Sequence, residues 1–147
     1  MVGMVTIRKA EQEDMTWVNE QYQSINYPLS DFNNEDIAIA EKNGERIGVG
    51  RLVKFDDDHG ELGGLYVLEQ HRKQGVCRKM VEFLIPFMKK YKQVYLMTYQ
   101  PELVPFYETF GFIEIKDETS VVPSYREKHL NLEARYKKKI YLYARKS

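Results

Sequence analysis

The sequence predicts an α/β (α+β) domain, a mixed and mostly antiparallel sheet with helices on its faces. Three observations carry this. Segment 36–41 alternates as a strand, and 46–55 and 61–68 read as further strands joined to it in succession by tight turns, the pattern of antiparallel hairpins. Beyond residue 75 the apolar period lengthens to that of a helix. A strand–helix–strand unit follows, and such a crossover joins parallel strands.

The elements follow in order. Val5-Thr6-Ile7-Arg8 alternates as a first strand. Residues 11–25 read as a helix that acidic residues open, with Met15, Val18, Tyr22 and Ile25 at helical spacing. Tyr27-Pro28 ends it, and 27–35 is a loop with room for a short helix after Ser30 or Asp31. Strand 36–41 turns at Asn43-Gly44, a pair suited to the positive φ that a two-residue hairpin needs. Strand 46–55 turns again through 56–60 into strand 61–68. Gly63-Gly64 interrupts that last strand, as at a bulge or a close backbone approach.

Val76, Met80, Val81, Leu84, Phe87 and Met88 then share one helical face, with Pro86 expected to kink or end the helix. Residues 94–98 are a buried strand. Residues 102–110 form a short helix capped by Gly111. Residues 112–115 and 140–144 are strands, and 117–137 is a polar connection carrying some helix. No repeat, low-complexity tract or linker divides the chain, so 1–147 reads as a single domain.

Lys plus Arg and Asp plus Glu number 22 each. A balanced charge argues against a protein built to bind nucleic-acid backbone. Cys77 is the only cysteine, so no internal disulfide forms. No secretory h-region and no apolar run of the ~20 residues a membrane helix needs is present. A cytoplasmic protein without a membrane partner is expected. The acidic turn Asp56-Asp57-Asp58-His59 matches no metal loop, and the basic residues 137–139, 145 and 146 read as a solvated edge. No metal site is expected.

The chemistry concentrates where strand 61–68 runs through Arg72-Lys73-Gln74-Gly75 into the helix starting Val76-Cys77-Arg78-Lys79. A helix start presents unpaired N–H groups and a positive dipole end, so a pyrophosphate sits well there. Gly75 lets backbone approach the oxygens, and Arg72, Lys73, Arg78 and Lys79 add charge. A ligand with several phosphate charges is the physical expectation. Arg-x-x-Gly alone is a weak motif. A second segment, Pro105-Phe106-Tyr107-Glu108-Thr109-Phe110-Gly111-Phe112, makes the pair more specific.

With these two segments the chain resembles the GNAT superfamily of acetyl-CoA-dependent N-acetyltransferases. The resemblance covers nearly the whole chain in element order and residues 61–112 in motif detail. The family's Gln/Arg-x-x-Gly-x-Gly/Ala loop is matched by Arg72-x-x-Gly75-x-Cys77, with a small cysteine in place of Gly or Ala. Its later segment is matched by Phe106-Tyr107-Glu108 and Gly111-Phe112.

The resemblance implies the acyl-CoA N-acyltransferase fold, with two central parallel strands splayed at a bulge and acetyl-CoA as acetyl donor. The pantetheine arm would bond backbone groups of Leu65, Tyr66 and Val67, as an added strand does. Amides of Gln74, Gly75, Val76, Cys77, Arg78 and Lys79 would hold the pyrophosphate, beside Arg72 and Lys73. Tyr107 would stand beside the cofactor sulfur as general acid.

An amine of pKa ~10 must lose a proton before it attacks a thioester. Glu61 is the candidate base, at the spacing before Leu65 where some GNAT histone acetyltransferases place a catalytic glutamate. It reads equally as an exposed strand-start carboxylate, and a bulge at Gly63-Gly64 would put it on the face opposite Leu65. A backbone N–H near Tyr66 or Val67 would meet the oxyanion. Cys77 stands at a helix start beside Arg78, where a thiol pKa falls, but the family implies direct transfer without an acyl-enzyme.

The acceptor, a small-molecule or peptide amine, is not identified. Tyr27, Tyr125, Arg126 and His129 lie in the segments where the family varies. A non-catalytic acetyl-CoA sensor of the same fold, and transfer of a longer acyl chain, remain alternatives. A homodimer through the edge of the last strand is a further arrangement left open.

Overall fold

A computed structural model describes residues 3–146. Its strands are β1 (Val5–Lys9), β2 (Glu35–Lys42), β3 (Glu45–Lys54), β4 (His59–Val67), β5 (Gln93–Thr98), β6 (Ile113–Glu114) and β7 (Tyr141–Lys146). Its α-helices are α1 (Met15–Ser24), α2 (Val76–Met88), α3 (Val104–Glu108) and α4 (Pro123–Tyr136). Among the described residues these strands form one sheet in the order β1-β2-β3-β4-β5-β7-β6. Only the β4–β5 pair is parallel, as expected where a helical crossover joins two strands.

Alternation assigns the two faces. Ala38, Ala40, Leu52, Leu62, Val94 and Leu96 pack under α2, with Phe106 and Tyr107 of α3 against the same core. Ile37, Ile39 and Val49 face the other way, beneath Val18 and Tyr22 of α1. Tyr95, Leu142 and Ala144 receive Tyr125 of α4 on that second side. Helices therefore cover both faces.

The sheet is interrupted at its centre. Val49 pairs with Tyr66 but Arg51 pairs with Gly63, so two steps along β3 span three along β4. The extra residue falls at Gly63-Gly64, where Gly64 takes φ 61°, a left-handed conformation costly for other residues. Tyr22 Oη donates to the Gly64 carbonyl at 2.7 Å and fixes the bulge. Beyond the bulge β4 leaves β5. The two pair only through His59↔Gln93, Gly60↔Val94 and Glu61↔Tyr95, and a gap opens from Leu62 onward.

Several boundaries differ from the sequence expectation. A 3₁₀ turn (Gln12–Asp14) precedes α1, and another (Pro101–Leu103) precedes α3. Helix α2 runs through Pro86 and stops at Met88, since a proline in the last turn removes few helical bonds. The connection 117–137 holds the 14-residue α4. The last strand is not an edge, because β6 pairs with it at Ile113↔Ala144 and Glu114↔Tyr143. The outer strand on this side of the sheet is therefore β6 rather than β7.

Asp14, fully buried, fastens α1 to the sheet. It accepts from Arg8 at 2.7 and 2.8 Å, from Arg46 at 2.8 Å and from the Glu11 N–H at 2.7 Å. These donors hold its carboxyl well below the usual range, chiefly through the Arg8 bond. A depressed carboxylate stabilises the fold above its unfolded pKa of ~3.9 and loses that contribution as pH falls toward its folded value. Asp14→Asn should cost roughly 2 kcal/mol at neutral pH and flatten the loss of stability below pH ~4, read by urea unfolding at a series of pH values.

Candidate active site

Helix α2 begins at a left-handed glycine. Gly75 caps it at φ 78°, with Lys73 at φ 63° just before. The first bond of the helix runs from Lys79 N–H to Gly75 O at 3.1 Å, which leaves the amides of Val76, Cys77 and Arg78 without helical partners. No side chain caps them. A Cβ built on Gly75 meets nothing within 4 Å, so the helix tip opens outward. An open cleft of ≈ 440 Å³ lies there, lined by Leu65, Val67, His71, Arg72, Lys73, Gly75, Val76, Cys77, Arg78 and Phe106. His71 Nδ1 is buried at this cleft without a hydrogen-bond partner.

The basic residues divide. Arg72 Nε donates to Val67 O at 2.7 Å, and its guanidinium lies 5.5 Å from the Tyr66 ring, tying the loop to the end of β4. Arg78 stacks on Phe106 and Phe110 and reaches Thr109 Oγ1 at 3.4 Å, which links α2 to α3. Lys73 and Lys79 are exposed. Both arginines thus carry positive charge at the cleft while bracing its walls.

The gap between β4 and β5 adjoins this cleft through Leu65 and Val67. In a strand paired on one side, alternate residues point N–H and C=O away from the partner. Beyond Glu61 such groups of β4 face the gap rather than β5. Tyr107 of α3 is half-buried in contact with the α2-side core. Burial raises its hydroxyl pKa, with further upward pushes from Cys77 and Tyr27. The hydroxyl therefore stays protonated through neutral and moderately alkaline pH.

Glu61 is the last residue of β4 paired with β5. The bulge reverses the alternation, so Leu65 packs toward α2 while Glu61 turns to the α4 side. Tyr125 Oη donates to Glu61 Oε2, and Lys128 Nζ donates to Oε1 at 2.7 Å. The carboxylate is therefore neither a loose surface group nor unpartnered. Tyr125 is fully buried, and burial together with the adjacent Glu61 raises its own pKa well above the usual value.

Tyr27 Oη accepts from Gly64 N–H at 3.2 Å, and this places the tyrosine over the bulge. Arg51, 5 % exposed, lies over the Tyr22 and Tyr27 rings at 4.6 and 5.2 Å and donates to Pro28 O. Ile25, Tyr27 and Leu29 are exposed apolar side chains of this segment.

Of the residues suggested for acceptor contact, Tyr27 is exposed at the gap. Arg126 is exposed and pairs with Glu118 at 3.9 Å. Tyr125 is buried against Glu61. His129 is buried against β7, its Nε2 donating to Ile140 O at 2.7 Å, so it is withdrawn from any acceptor. Asp56 Oδ1 binds His59 Nδ1 and Asp58 N–H within its own turn. Lys128 was not singled out by sequence, since one lysine in a polar helix carries no pattern.

The family model described as "Acetyltransferase (GNAT) family" matches residues 4–112. No curated protein matches the chain. Among solved structures, N-acetylglutamate synthase from Neisseria gonorrhoeae, complexed with coenzyme A and N-acetyl-glutamate, superposes at TM-score 0.73 and 16% identity. The match covers 97% of this chain and 35% of that one, so the chain spans about a third of that protein. An acetyltransferase of the GNAT family from Staphylococcus aureus Mu50 gives TM-score 0.67 at 18% identity, over 97% and 99% of the two chains. A GNAT family acetyltransferase from Elizabethkingia anophelis with acetyl-CoA bound gives 0.63 at 16%, over 97% and 98%. Likeness at these identities is likeness of fold. No helix among the described residues is long and apolar enough to cross a membrane.

Burial pushes the Cys77 thiol up to about 11, against a smaller downward pull from Arg78. The sequence expectation that its place at the helix start would lower this pKa is thereby reversed, because desolvation outweighs the neighbouring charge. Iodoacetamide should accordingly label the folded protein at pH 8 at least about tenfold more slowly than an unfolded control, with the rate climbing toward pH 11. Equal rates at pH 8 would mean a thiolate is already present.

Proposed function

The chain belongs to the acetyltransferase (GNAT) family, and on that premise we propose that it moves the acetyl group of acetyl-CoA directly onto a primary amine of a small molecule or peptide. Tyr107 is the general acid and Glu61 the general base. One observation carries the reading: β4–β5 pairing stops after Glu61↔Tyr95, and the gap that opens beyond it meets the uncapped start of α2 at Leu65 and Val67. A phosphate-binding tip and a strand with unpaired backbone groups are thus joined in one cleft.

Acetyl-CoA, when bound, supplies an acyl group activated as a thioester. The residues present fit it. Free amides from Gln74 to Arg78 meet the diphosphate at the positive end of the α2 dipole, the Lys79 N–H being taken by Gly75 O, while the Lys73, Arg78 and Lys79 side chains add charge. Backbone groups of Leu65, Tyr66 and Val67 bond the amide arm as a neighbouring strand would. Small Cys77 leaves the approach to Gly75 open, as its Gly or Ala counterpart does.

Tyr107 gives its proton to the departing sulfur. Burial keeps this hydroxyl protonated at neutral pH, so the proton is in place when the thiolate departs. Glu61 removes the acceptor's proton, its carboxylate oriented by Tyr125 and Lys128. A backbone N–H near Tyr66 or Val67 stabilises the oxyanion. The acceptor enters past Tyr27, whose apolar neighbours Ile25 and Leu29 would cover its hydrocarbon part.

Acetyl-CoA should raise the melting midpoint, and the protein should release CoA with at least one member of an amine panel. Tyr107→Phe should lower kcat about 10²-fold while leaving the acetyl-CoA melting shift in place. An unchanged kcat across pH would remove the acid role. A melting shift without turnover on any amine would favour a coenzyme sensor, and no shift at all would remove the cofactor.

A further inference from the structure

The carboxylate proposed as general base already holds an amine. Lys128 Nζ lies 2.7 Å from Glu61 Oε1. Tyr125 takes the other oxygen, Oε2, so the place left for an incoming ammonium on this carboxylate is the one Lys128 fills. Glu61 is also the residue at which the sheet divides. The Lys128 nitrogen therefore stands at the head of the gap that would receive the thioester. Its stem arrives across the Tyr125 ring, with Nζ 5.7 Å from the centroid, and its side chain is 42% exposed. Among the described residues the other lysine ion pairs go to Asp36, Asp57 and Asp58.

We infer that Lys128 is itself an amine substrate of this site and is acetylated in cis. This rests on the proposed function above. The ammonium first loses a proton to Glu61, which passes it to water. The Nζ lone pair then forms the C–N bond to the acetyl carbonyl carbon, and the C–S bond of acetyl-CoA breaks. Nitrogen loses its second proton, Tyr107 protonates the departing sulfur, and water restores the Tyr107 proton. The balance is one ammonium and one acetyl-CoA giving one amide, one CoA thiol and one proton. No redox partner is required.

The product has a structural consequence. An amide cannot pair with a carboxylate as an ammonium does, so acetylation releases Glu61 Oε1. The carboxylate is left with Tyr125 and an open position for a diffusing acceptor. Modification of Lys128 and use of an external amine are therefore successive states of one site.

The experiment incubates the whole chain with acetyl-CoA and no added amine, over a range of protein concentrations. Acetylated peptides are mapped by tandem mass spectrometry, and the melting midpoint of the modified protein is recorded. We expect acetyl on Lys128 at least about tenfold above every other lysine, with a half-time independent of protein concentration, as a held nucleophile requires. Tyr107→Phe should slow it about as much as it slows turnover, and the modified protein should melt lower than the unmodified one. Lys128→Arg, which keeps the pair with Glu61, should remove this peptide's label while still melting higher with acetyl-CoA. Three results would overturn the inference: an unlabelled Lys128 in a protein that turns over an external amine, a rate proportional to protein concentration, or labelling that Tyr107→Phe leaves unchanged. No label together with no CoA release on any amine would instead remove the proposed function, and this inference with it.

Discussion

One extra residue in β4 sets the geometry on which everything else depends. Two residues of β3 must face three of β4 between Val49 and Arg51. The strand cannot absorb that mismatch and stay flat, so it bends away from β5 and leaves only three parallel pairs. A sheet normally satisfies its backbone groups internally. Here the centre of the sheet leaves a stretch of them open to a ligand, between two layers of helices. The unpaired backbone of β4 costs less where a bound molecule replaces the missing strand.

Much of the molecule serves to hold that bend. Tyr22 bonds the carbonyl of Gly64 across 42 positions of sequence, and Tyr27 takes the amide of the same residue. Arg51 packs beneath both rings. A Cβ on Gly64 would lie 2.5 Å from Tyr22 Oη and 3.0 Å from Arg51 Nε, so glycine is required there for space as well as for φ. The α1 face thereby fixes the bulge from one side while α2 and α3 supply the cleft on the other.

The parts legible in the sequence are those with local signals. Asn43-Gly44 marks the hairpin and Gly63-Gly64 the bulge, because each reflects a backbone conformation few residues adopt; Gly75 marks a close backbone approach in the sequence, and the structure adds its left-handed φ of 78°. The helical stripe from Val76 to Met88 was equally plain. Long-range choices were not legible. Helix α4 has a polar sequence with a weak apolar face, so nothing in it foretold that Tyr125 and His129 would be buried or that Lys128 would reach Glu61 from 67 positions away. The thiol of Cys77 shows the same limit. Its position in sequence suggests a lowered pKa, whereas its packing against the core raises it.

In the proposed function, amides at the start of α2 and along the freed edge of β4 act together as the seat of the coenzyme. Hydrogen–deuterium exchange with and without CoA reads those amides directly. Slowed exchange in peptides covering residues 62–67 and 74–79, with little change in β1, β2 and β7, is the predicted result. Unchanged exchange in both segments under saturating CoA, or protection confined to another part of the surface, would contradict it.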